Sequence, residues 1–218
     1  MAANPFTPDF ASLPTTLPLF PLSGVALLPL SELQLNIFEP RYLNMVSDAL
    51  GTGRMIGIVQ PNNTSTSSKN GLYQTGCAGR ITIFNEASDG RFLINLLGVC
   101  RFDICSEIAT IRGYRRIATD WQRFKHDLQE EETTIETAPL LKMLYNYFEF
   151  NNIQADLDAL REMPGPRLIN SLAIHLPFAP EEKQVLVEAL DLPDRMERIM
   201  ALAKMSLATR LSSQPTRH

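Results

Sequence analysis

The segment at residues 17–61 constrains the fold of this chain more than any other. It alternates short apolar runs with proline and glycine, then passes through residues 36–42 into an amphipathic stretch and back to an apolar run. Short apolar runs bounded by turn residues are typical of strands, whereas apolar positions three or four residues apart indicate a helix. The segment therefore predicts the order strand, turn, strand, helix, strand.

The helix of this segment is predicted to begin at Pro40, because the fixed φ of proline suits the first helical position. Glu39 lies just outside, where its carboxylate would face the positive end of the helix dipole. Leu43, Val46 and Leu50 share one side of this helix by their spacing. The segment is therefore predicted to be an amphipathic helix.

Strand-like patterns continue to about Trp121. Strands are predicted at residues 54–60, 73–87, 91–98, 99–108 and 114–121. Between the second and the third of them, Asp89 and Gly90 predict a two-residue hairpin loop, because glycine accepts the positive φ that such turns require. We expect the strands to fold back on one another as a meander.

The second half of the chain is predicted to be helical, because its hydrophobic period changes from two residues toward about 3.6. Three stripes of apolar residues lie at helical spacing: Leu140, Leu141, Leu144, Tyr147 and Phe148; Leu168, Ile169, Leu172 and Leu176; Met196, Ile199, Met200, Ala203 and Leu207. Pro180, followed by Glu181 and Glu182, predicts the start of a further short helix. The fold class is therefore α+β, with a β-rich half followed by an α-helical bundle.

This change of pattern divides the chain into successive parts. We predict a flexible N-terminal arm at residues 1–16, a β-rich subdomain at 17–124, an acidic linker at 125–137, a helical subdomain at 138–211 and a tail at 212–218. Residues 62–71 form a polar stretch of low complexity, which predicts a loop within the β-rich part.

Composition and charge argue against several kinds of partner and location. The formal net charge of -4 provides no general attraction to nucleic acid or to anionic lipid. The first residues lack the pattern of a signal peptide, and no apolar run approaches the ~20 residues that a membrane span needs. Three cysteines, an odd number, argue against a disulfide framework and for a reducing compartment. We expect a cytoplasmic protein.

The sequence contains no motif for catalysis or for a cofactor. Residues 71–78 have the glycine spacing of a phosphate-binding loop but lack its lysine and its hydroxyl, and no serine-hydrolase elbow or zinc-protease helix occurs. Cys77, Cys100 and Cys105 include no Cys-x2-Cys pair that would start a zinc site, so we expect buried structural thiols. His175, at an apolar helix end, is expected to be a core or capping residue. We predict no catalytic residue, no cofactor and no metal.

Four segments together resemble the N-terminal substrate-binding domain of Lon protease, which also occurs as a stand-alone bacterial protein. They are residues 17–61, 72–81, 97–102 and 171–184, and the resemblance extends over about 17–211. It implies a PUA-like pseudobarrel in the β-rich half. The ATPase and peptidase domains of Lon proteases would follow this domain, and we expect neither here.

The resemblance also implies a function. It points to a non-catalytic module that binds unfolded or damaged polypeptides, as a quality-control adaptor for an ATP-dependent protease or chaperone. Eight methionines and 11 phenylalanines are consistent with an adaptable apolar site, although most of them must belong to the core. The alternative is an RNA-binding module, because PUA-like folds also occur in RNA-binding proteins.

Two charged clusters could form binding sites, one for a cation or a basic partner and one for RNA. Glu130, Glu131 and Glu132 could attract a cation or a basic partner, but like charges in a row favour a solvated linker. Arginines at positions 112, 115 and 116 could contact RNA, yet Arg115 and Arg116 would point to opposite faces of a strand. An ion-paired surface strand is therefore the favoured interpretation, and nucleic acid is an unlikely partner.

The candidate binding residues are Glu39, Arg41 and Tyr42. A cation in the first turn of a helix is disfavoured by about 0.3–1 kcal/mol, so Arg41 should have a compensating partner. That partner is either structural, such as Glu39 or a later acid, or a bound polypeptide to which Arg41 and Tyr42 present an amphipathic edge. The sequence leaves both alternatives open.

Overall fold

The computed structural model describes residues 8–62, 71–128 and 135–213, the last five of them by their backbone alone. The chain divides into two compact units, Met1–Glu131 and Glu132–His218. The division falls within the stretch predicted as a linker, although residues 125–128 of that stretch belong to the 3-10 helix Gln122–Leu128. The acidic run at 130–132 and most of the predicted loop at 62–71 lie outside the described residues.

Six strands of the first unit form one sheet, and five of them close into a barrel. They are β1 (Thr16–Pro21), β2 (Glu32–Ile37), β3 (Met55–Val59), β4 (Thr75–Glu86), β5 (Phe92–Ile108) and β6 (Arg115–Asp120). Their order is β2-β5-β4-β3-β1-β6, and β5 pairs with β6 as well. β1 and β3 are parallel, whereas the other pairs are antiparallel. This arrangement confirms the predicted β-rich pseudobarrel.

β5 holds the barrel together because it pairs with three strands. The part near Phe92 pairs with β2, the part near Ile108 pairs with β6, and β4 runs along most of its length. The prediction of two strands divided at Gly98 is wrong, since β5 continues through this glycine for 17 residues in all. Gly98 allows a close approach instead, because a Cβ there would lie 1.9 Å from the carbonyl oxygen of Leu28.

The hairpin between β4 and β5 has a longer loop than the sequence predicts. The Ala87 N–H donates to the Arg91 carbonyl at 2.8 Å, and the Gly90 N–H donates to the Ala87 carbonyl at 2.9 Å. Gly90 has a φ of 82°, so it occupies the left-handed position of a three-residue loop. The predicted positive φ is thus present, but the two-residue loop is wrong because Ser88 also lies in the loop.

Helix α1 (Pro40–Gly51) begins as predicted, with Glu39 at its N-cap. Its buried residues are Tyr42, Met45, Val46 and Ala49, so Val46 is the one of the three predicted apolar positions that is fully buried. Leu43 and Leu50 are only partly buried and pack at the margin of the core. Both faces carry apolar residues at helical spacing, so the periodicity alone did not fix the rotation of the helix.

Part of the predicted N-terminal arm is packed against the barrel. Residues Phe10–Ser12 form a 3-10 helix, and Leu13 is buried. The indole Nε1 of Trp121 donates to the Pro14 carbonyl at 3.0 Å. Residues 1–7 of the predicted arm lie outside the described part of the chain.

The first unit contains two hydrophobic clusters. One lies against α1 and includes Met45, Val46 and Leu96, and the other includes Phe102 and Phe124. These clusters account for the apolar faces of α1 and of the barrel strands.

The second unit is helical, as predicted. It contains α2 (Ala138–Asn151), α3 (Leu157–Glu162), α4 (Gly165–His175), α5 (Pro180–Val187) and α6 (Leu192–Ser213), and α6 contacts α2, α4 and α5. The predicted stripes supply buried residues in α2, α4 and α6. Within the described ranges, no helix has the length and apolar character needed to cross a membrane.

A buried arginine links three helices of the second unit. Arg195 of α6 is 2% exposed. Its Nε donates to the Leu186 carbonyl at 3.0 Å, and its Nη1 donates to Asn170 Oδ1 at 2.7 Å. α6 is therefore joined to α4 and α5 by charge-assisted hydrogen bonds as well as by apolar packing.

Candidate functional site

Glu39 and Arg41 form an exposed ion pair at the start of α1. Arg41 Nη2 lies 2.8 Å from Glu39 Oε2, and the two side chains are 54% and 44% exposed. The Glu39 hydrogen bond raises the pKa of Arg41 above its ordinary value. Arg41 therefore has the structural partner that formed one of the two alternatives. Its contact with a polypeptide remains a prediction.

The aromatic ring of Tyr42 packs beneath the Arg41 guanidinium. This ring lies 4.1 Å from the ring of Phe20, and the Arg41 guanidinium lies 4.5 Å above it. The side chain is 9% exposed, and this burial raises the pKa of Tyr42. A cation over an aromatic face is favourable, so Tyr42 orients Arg41 at the surface. Of the three candidate residues, Glu39 and Arg41 are the accessible ones.

Exposed apolar side chains lie close to this pair along the chain. Phe38 is 64% exposed, and Ile83, Phe84 and Leu93 of the β4–β5 hairpin are 59%, 39% and 43% exposed. Because Ile37 pairs with Phe92, Phe38 follows at the same end of the sheet as the hairpin. We call Phe38, Ile83, Phe84 and Leu93 the hairpin surface. Ile83 and Leu93 share one face of the two strands, whereas Phe84 lies on the other face, because neighbouring residues of a strand point to opposite faces. Exposed apolar residues gathered at one end of a sheet mark an interaction site in soluble proteins.

The sequence contains a signal for the hairpin surface. Ile83 and Phe84 are consecutive, as are Phe92 and Leu93, whereas a strand with one buried face alternates apolar and polar residues. Consecutive apolar residues near the end of a hairpin place apolar groups on both of its faces. One of those faces must then meet solvent or a partner.

The three arginines that could contact RNA form hydrogen bonds within the protein, two with carboxylates and one with a hydroxyl. Arg112 binds Asp48 through Nε and Nη2 at 3.1 and 2.9 Å. Arg115 binds Glu107 through the same two atoms at 2.7 Å each, and this hydrogen bonding lowers the pKa of Glu107. The Arg116 guanidinium donates to Thr16 Oγ1 at 3.0 Å. The prediction of ion-paired arginines is confirmed for positions 112 and 115.

A cysteine, a histidine and an aspartate meet beside β5, but their environment is structural. Arg101 and Asp127 form a buried ion pair with Nη2 and Oδ1 2.7 Å apart, and His126 Nε2 lies 3.4 Å from the guanidinium. The Cys100 thiol donates to the Phe124 carbonyl at 3.4 Å. Burial raises the pKa of Cys100 far above its ordinary value, and Asp127 raises it further. A neutral, buried thiol is a poor nucleophile.

The other cysteines and His175 are only partly as expected. Cys77 is buried, whereas Cys105 is exposed, so the expectation of three buried thiols is wrong at Cys105, which lies where the register of β5 and β6 shifts. His175 is exposed at the end of α4, and its Nδ1–H donates to the Ser171 carbonyl at 2.8 Å, which makes it a capping residue. Among the described residues, no three acidic, histidine or cysteine side chains converge as metal ligands would.

Comparison with known proteins gives consistent similarities. The sequence profile of the ATP-dependent protease La (LON) substrate-binding domain matches residues 16–204. Lon protease of Heliobacterium modesticaldum is 24% identical over 83% of this chain and 23% of its own length. Lon protease of Escherichia coli K12 is 23% identical over 88% of this chain and 25% of its own length. The chain thus spans about a quarter of these curated relatives.

Two solved structures have a similar fold. The Lon N-terminal domain protein from Xanthomonas campestris matches with a TM-score of 0.60 and 26% identity, covering 86% of this chain and 98% of that one. The N-terminal domain of Mycobacterium avium complex Lon protease matches with a TM-score of 0.64 and 14% identity, covering 87% and 98%. The second of these supports the fold alone.

Proposed function

Because this chain belongs to the family of the ATP-dependent protease La (LON) substrate-binding domain, we propose that it is a non-catalytic module that binds polypeptides. Its ligands are exposed apolar segments of unfolded or damaged proteins. The similarity extends to the substrate-binding part of the relatives, and the comparisons match no ATPase or peptidase domain to these residues. The 218-residue chain is accordingly expected to hydrolyse neither ATP nor protein.

The observation that carries this proposal is the hairpin surface. Its four side chains are apolar and exposed, and the sequence neighbours of Phe38 are Ile37 of the sheet edge and Glu39 of the ion pair. Exposed apolar side chains on both faces of the hairpin, with a charged pair beside Phe38, suit an unfolded segment, whose apolar side chains are buried on binding while its polar groups stay solvated. Binding should be micromolar or weaker, because an unfolded ligand loses conformational entropy when it is held.

The test is the affinity for a labelled, reduced and unfolded model protein, measured by fluorescence anisotropy. Phe38→Ser and Leu93→Ser should each weaken binding about three- to tenfold, since each removes apolar area from the contact. Met205→Ser is the matched control, because Met205 is 64% exposed on α6, in the second unit. Equal affinities for all three variants and the wild type would place the site elsewhere.

The ion pair is tested separately. Arg41→Ala should weaken binding, whereas Tyr42→Phe, which keeps the ring beneath the guanidinium, should not. If Arg41→Ala lowers the free energy of unfolding but its folded fraction binds normally, the pair is structural only. Structured RNA bound with a steep salt dependence, together with no binding of unfolded protein, would favour the RNA alternative.

An adaptor role is the wider part of the proposal. The chain would present its ligand to an ATP-dependent protease or chaperone in the cytoplasm, where an exposed thiol such as Cys105 can stay reduced. Adding the chain to a purified ATP-dependent protease should then accelerate degradation of the unfolded model protein. An unchanged rate would limit the function to binding.

A further inference from the structure

We propose that the bound polypeptide pairs with the free edge of β2 as an added strand. This inference rests on the proposed function, because it names how the same part of the molecule would hold an unfolded ligand. β2 is the terminal strand of the sheet, and in the described part of the chain its strand neighbour is β5 alone. β6, at the other end of the order, pairs with both β1 and β5, so it has no comparable free edge.

The register shows which backbone groups face outward. The Gly98 N–H donates to the Ser31 carbonyl at 2.8 Å just before β2 begins. Hydrogen-bonded and non-hydrogen-bonded positions alternate along an antiparallel pair, and the ladder from Glu32 to Ile37 has no register shift. The outward positions are therefore Glu32, Gln34 and Asn36. Their N–H and C=O groups point away from β5, in the arrangement that an added strand requires.

This edge lacks the features with which sheet edges usually prevent pairing. Proteins protect such edges with lysine, proline, bulges or inward-pointing charges. β2 contains none of these residues, and its one charged residue, Glu32, accepts a hydrogen bond from Asn95 Nδ2 at 3.0 Å. Gln34 and Asn36 are exposed. Among the described residues, no strand pairs with this side of β2 from Glu32 to Ile37.

Exposed apolar residues lie beyond both ends of β2. Phe38 follows β2, and Leu30 precedes it with 57% exposure and a φ of 64°. A left-handed leucine is strained, and one so exposed regains little free energy by burial. Its φ belongs to the turn at residues 28–31, in which Pro29 precedes Leu30 and the Ser31 N–H donates to the Leu28 carbonyl at 3.1 Å, and this turn presents Leu30 at the start of the edge.

The two faces of β2 specify the pattern of the ligand. Leu33, Leu35 and Ile37 lie toward the core, whereas Gln34 and Asn36 lie on the opposite, solvated face. An added strand would place alternate side chains beside these two sets. The preferred ligand is therefore an extended segment in which apolar and polar residues alternate.

A second copy of this chain is the competing occupant of the edge. β2 has six residues and is roughly 20 Å long. Two such strands side by side would form a contact only about 20 Å long and one strand wide, whereas a stable interface buries roughly 1,200 Å² or more. An unfolded ligand is not restricted to the edge, because it can continue over Leu30 and Phe38. The area therefore favours an unfolded polypeptide.

The test uses the full chain and a short labelled peptide of alternating valine and threonine. Two N-methylated versions are compared, one blocked at every valine amide and the other at every threonine amide. In an added strand only one of these sets faces β2, so one version should lose affinity about tenfold or more and the other should bind as the parent does. The version that loses affinity also gives the strand direction. In an antiparallel pair, Gln34 and Asn36 bond to the residues directly opposite, which are the threonines on the same solvated face. In a parallel pair, they bond to the residues on either side of those, which are the valines. Equal effects of both versions would refute edge pairing.

Amide hydrogen exchange in the same sample provides an independent measurement. The Gln34 and Asn36 amides should exchange quickly in the free chain and slowly with peptide, whereas the Leu33 and Leu35 amides are protected in both states. Binding that leaves Gln34 and Asn36 unprotected overturns the edge but keeps the proposed function. Protection of these amides that rises with protein concentration, without peptide, assigns the edge to a second copy. Failure of both peptide and unfolded protein to bind overturns both proposals.

Gln34→Pro removes an outward N–H that β5 does not use, and Gln34→Thr is its matched control. Only the proline variant should lose peptide affinity. If the proline variant does not fold, the exchange measurement on the wild type still decides.

Discussion

Arg101 and Asp127 form a buried ion pair in the first unit. Their side chains are 1% and 5% exposed, and the Arg101 backbone N–H also donates to Asp127 Oδ2 at 2.9 Å. The pair fastens the 3-10 helix Gln122–Leu128 to β5. Nothing local in the sequence marks it, because the two residues are 26 positions apart and Asp127 lies in a stretch that is acidic and polar throughout.

Replacing Asp127 should therefore be costly. Asp127→Asn leaves a buried guanidinium without its countercharge, which typically lowers the free energy of unfolding by about 3–5 kcal/mol. The control is Asp89→Asn, because Asp89 and Arg91 form a solvent-exposed pair whose loss should change stability far less than the loss of the buried pair. Urea denaturation measures both. Equal losses in the two variants would contradict a structural role for the buried pair.

Glu107 and Arg115 should make stability depend on pH. The Arg115 hydrogen bonds lower the pKa of Glu107, so folding favours the ionised carboxylate. This contribution is present above the unfolded pKa of about 4.3 and is lost as the pH falls through the lowered, folded value. Arg115→Gln should therefore be less stable than the wild type by up to about 1 kcal/mol at pH 7. The difference should vanish in strong acid, and a constant difference across pH would exclude this linkage.

At the scale of elements, the entry into β2 depends on Gly98. A Cβ at this position would lie 1.9 Å from the Leu28 carbonyl oxygen, so Gly98→Ala must displace the backbone that leads into β2. We expect a loss of more than about 2 kcal/mol and faster exchange of the Leu33 and Leu35 amides. The control is Gly51→Ala at the end of α1, where no atom lies within 4 Å of the added methyl. Similar stabilities of the two variants would show that the close approach can relax cheaply.

The elements also show what the sequence could predict. The start of α1 was predicted because Pro40 acts locally, and the strands because their apolar period is local. The continuity of β5 was missed because Gly98 resembles a break, and its real cause is the distant backbone at Leu28. The pairs Ile83–Phe84 and Phe92–Leu93 break the alternation of a strand and so indicate apolar groups on both faces of the hairpin, but the sequence does not show which of these groups stay exposed.

At the scale of the whole molecule, the two units offer a test of the predicted division near residues 125–137. Trp121 is the single tryptophan and belongs to the first unit, so its fluorescence reports that unit. Most of the helix belongs to the second unit, so circular dichroism at the helical band reports mainly that unit. Each unit therefore has its own signal in one unfolding experiment.

Arg195→Ala should separate these signals. It removes charge-assisted hydrogen bonds to Leu186 and Asn170, each worth about 1.5–3 kcal/mol, from the interior of the helical unit. We expect the midpoint of the helical signal in urea to fall while the Trp121 midpoint stays within error of the wild type. Asp127→Asn should do the reverse, because its buried partner lies in the barrel. If both variants shift both signals together, the two units unfold as one cooperative body and the division into independent domains is wrong.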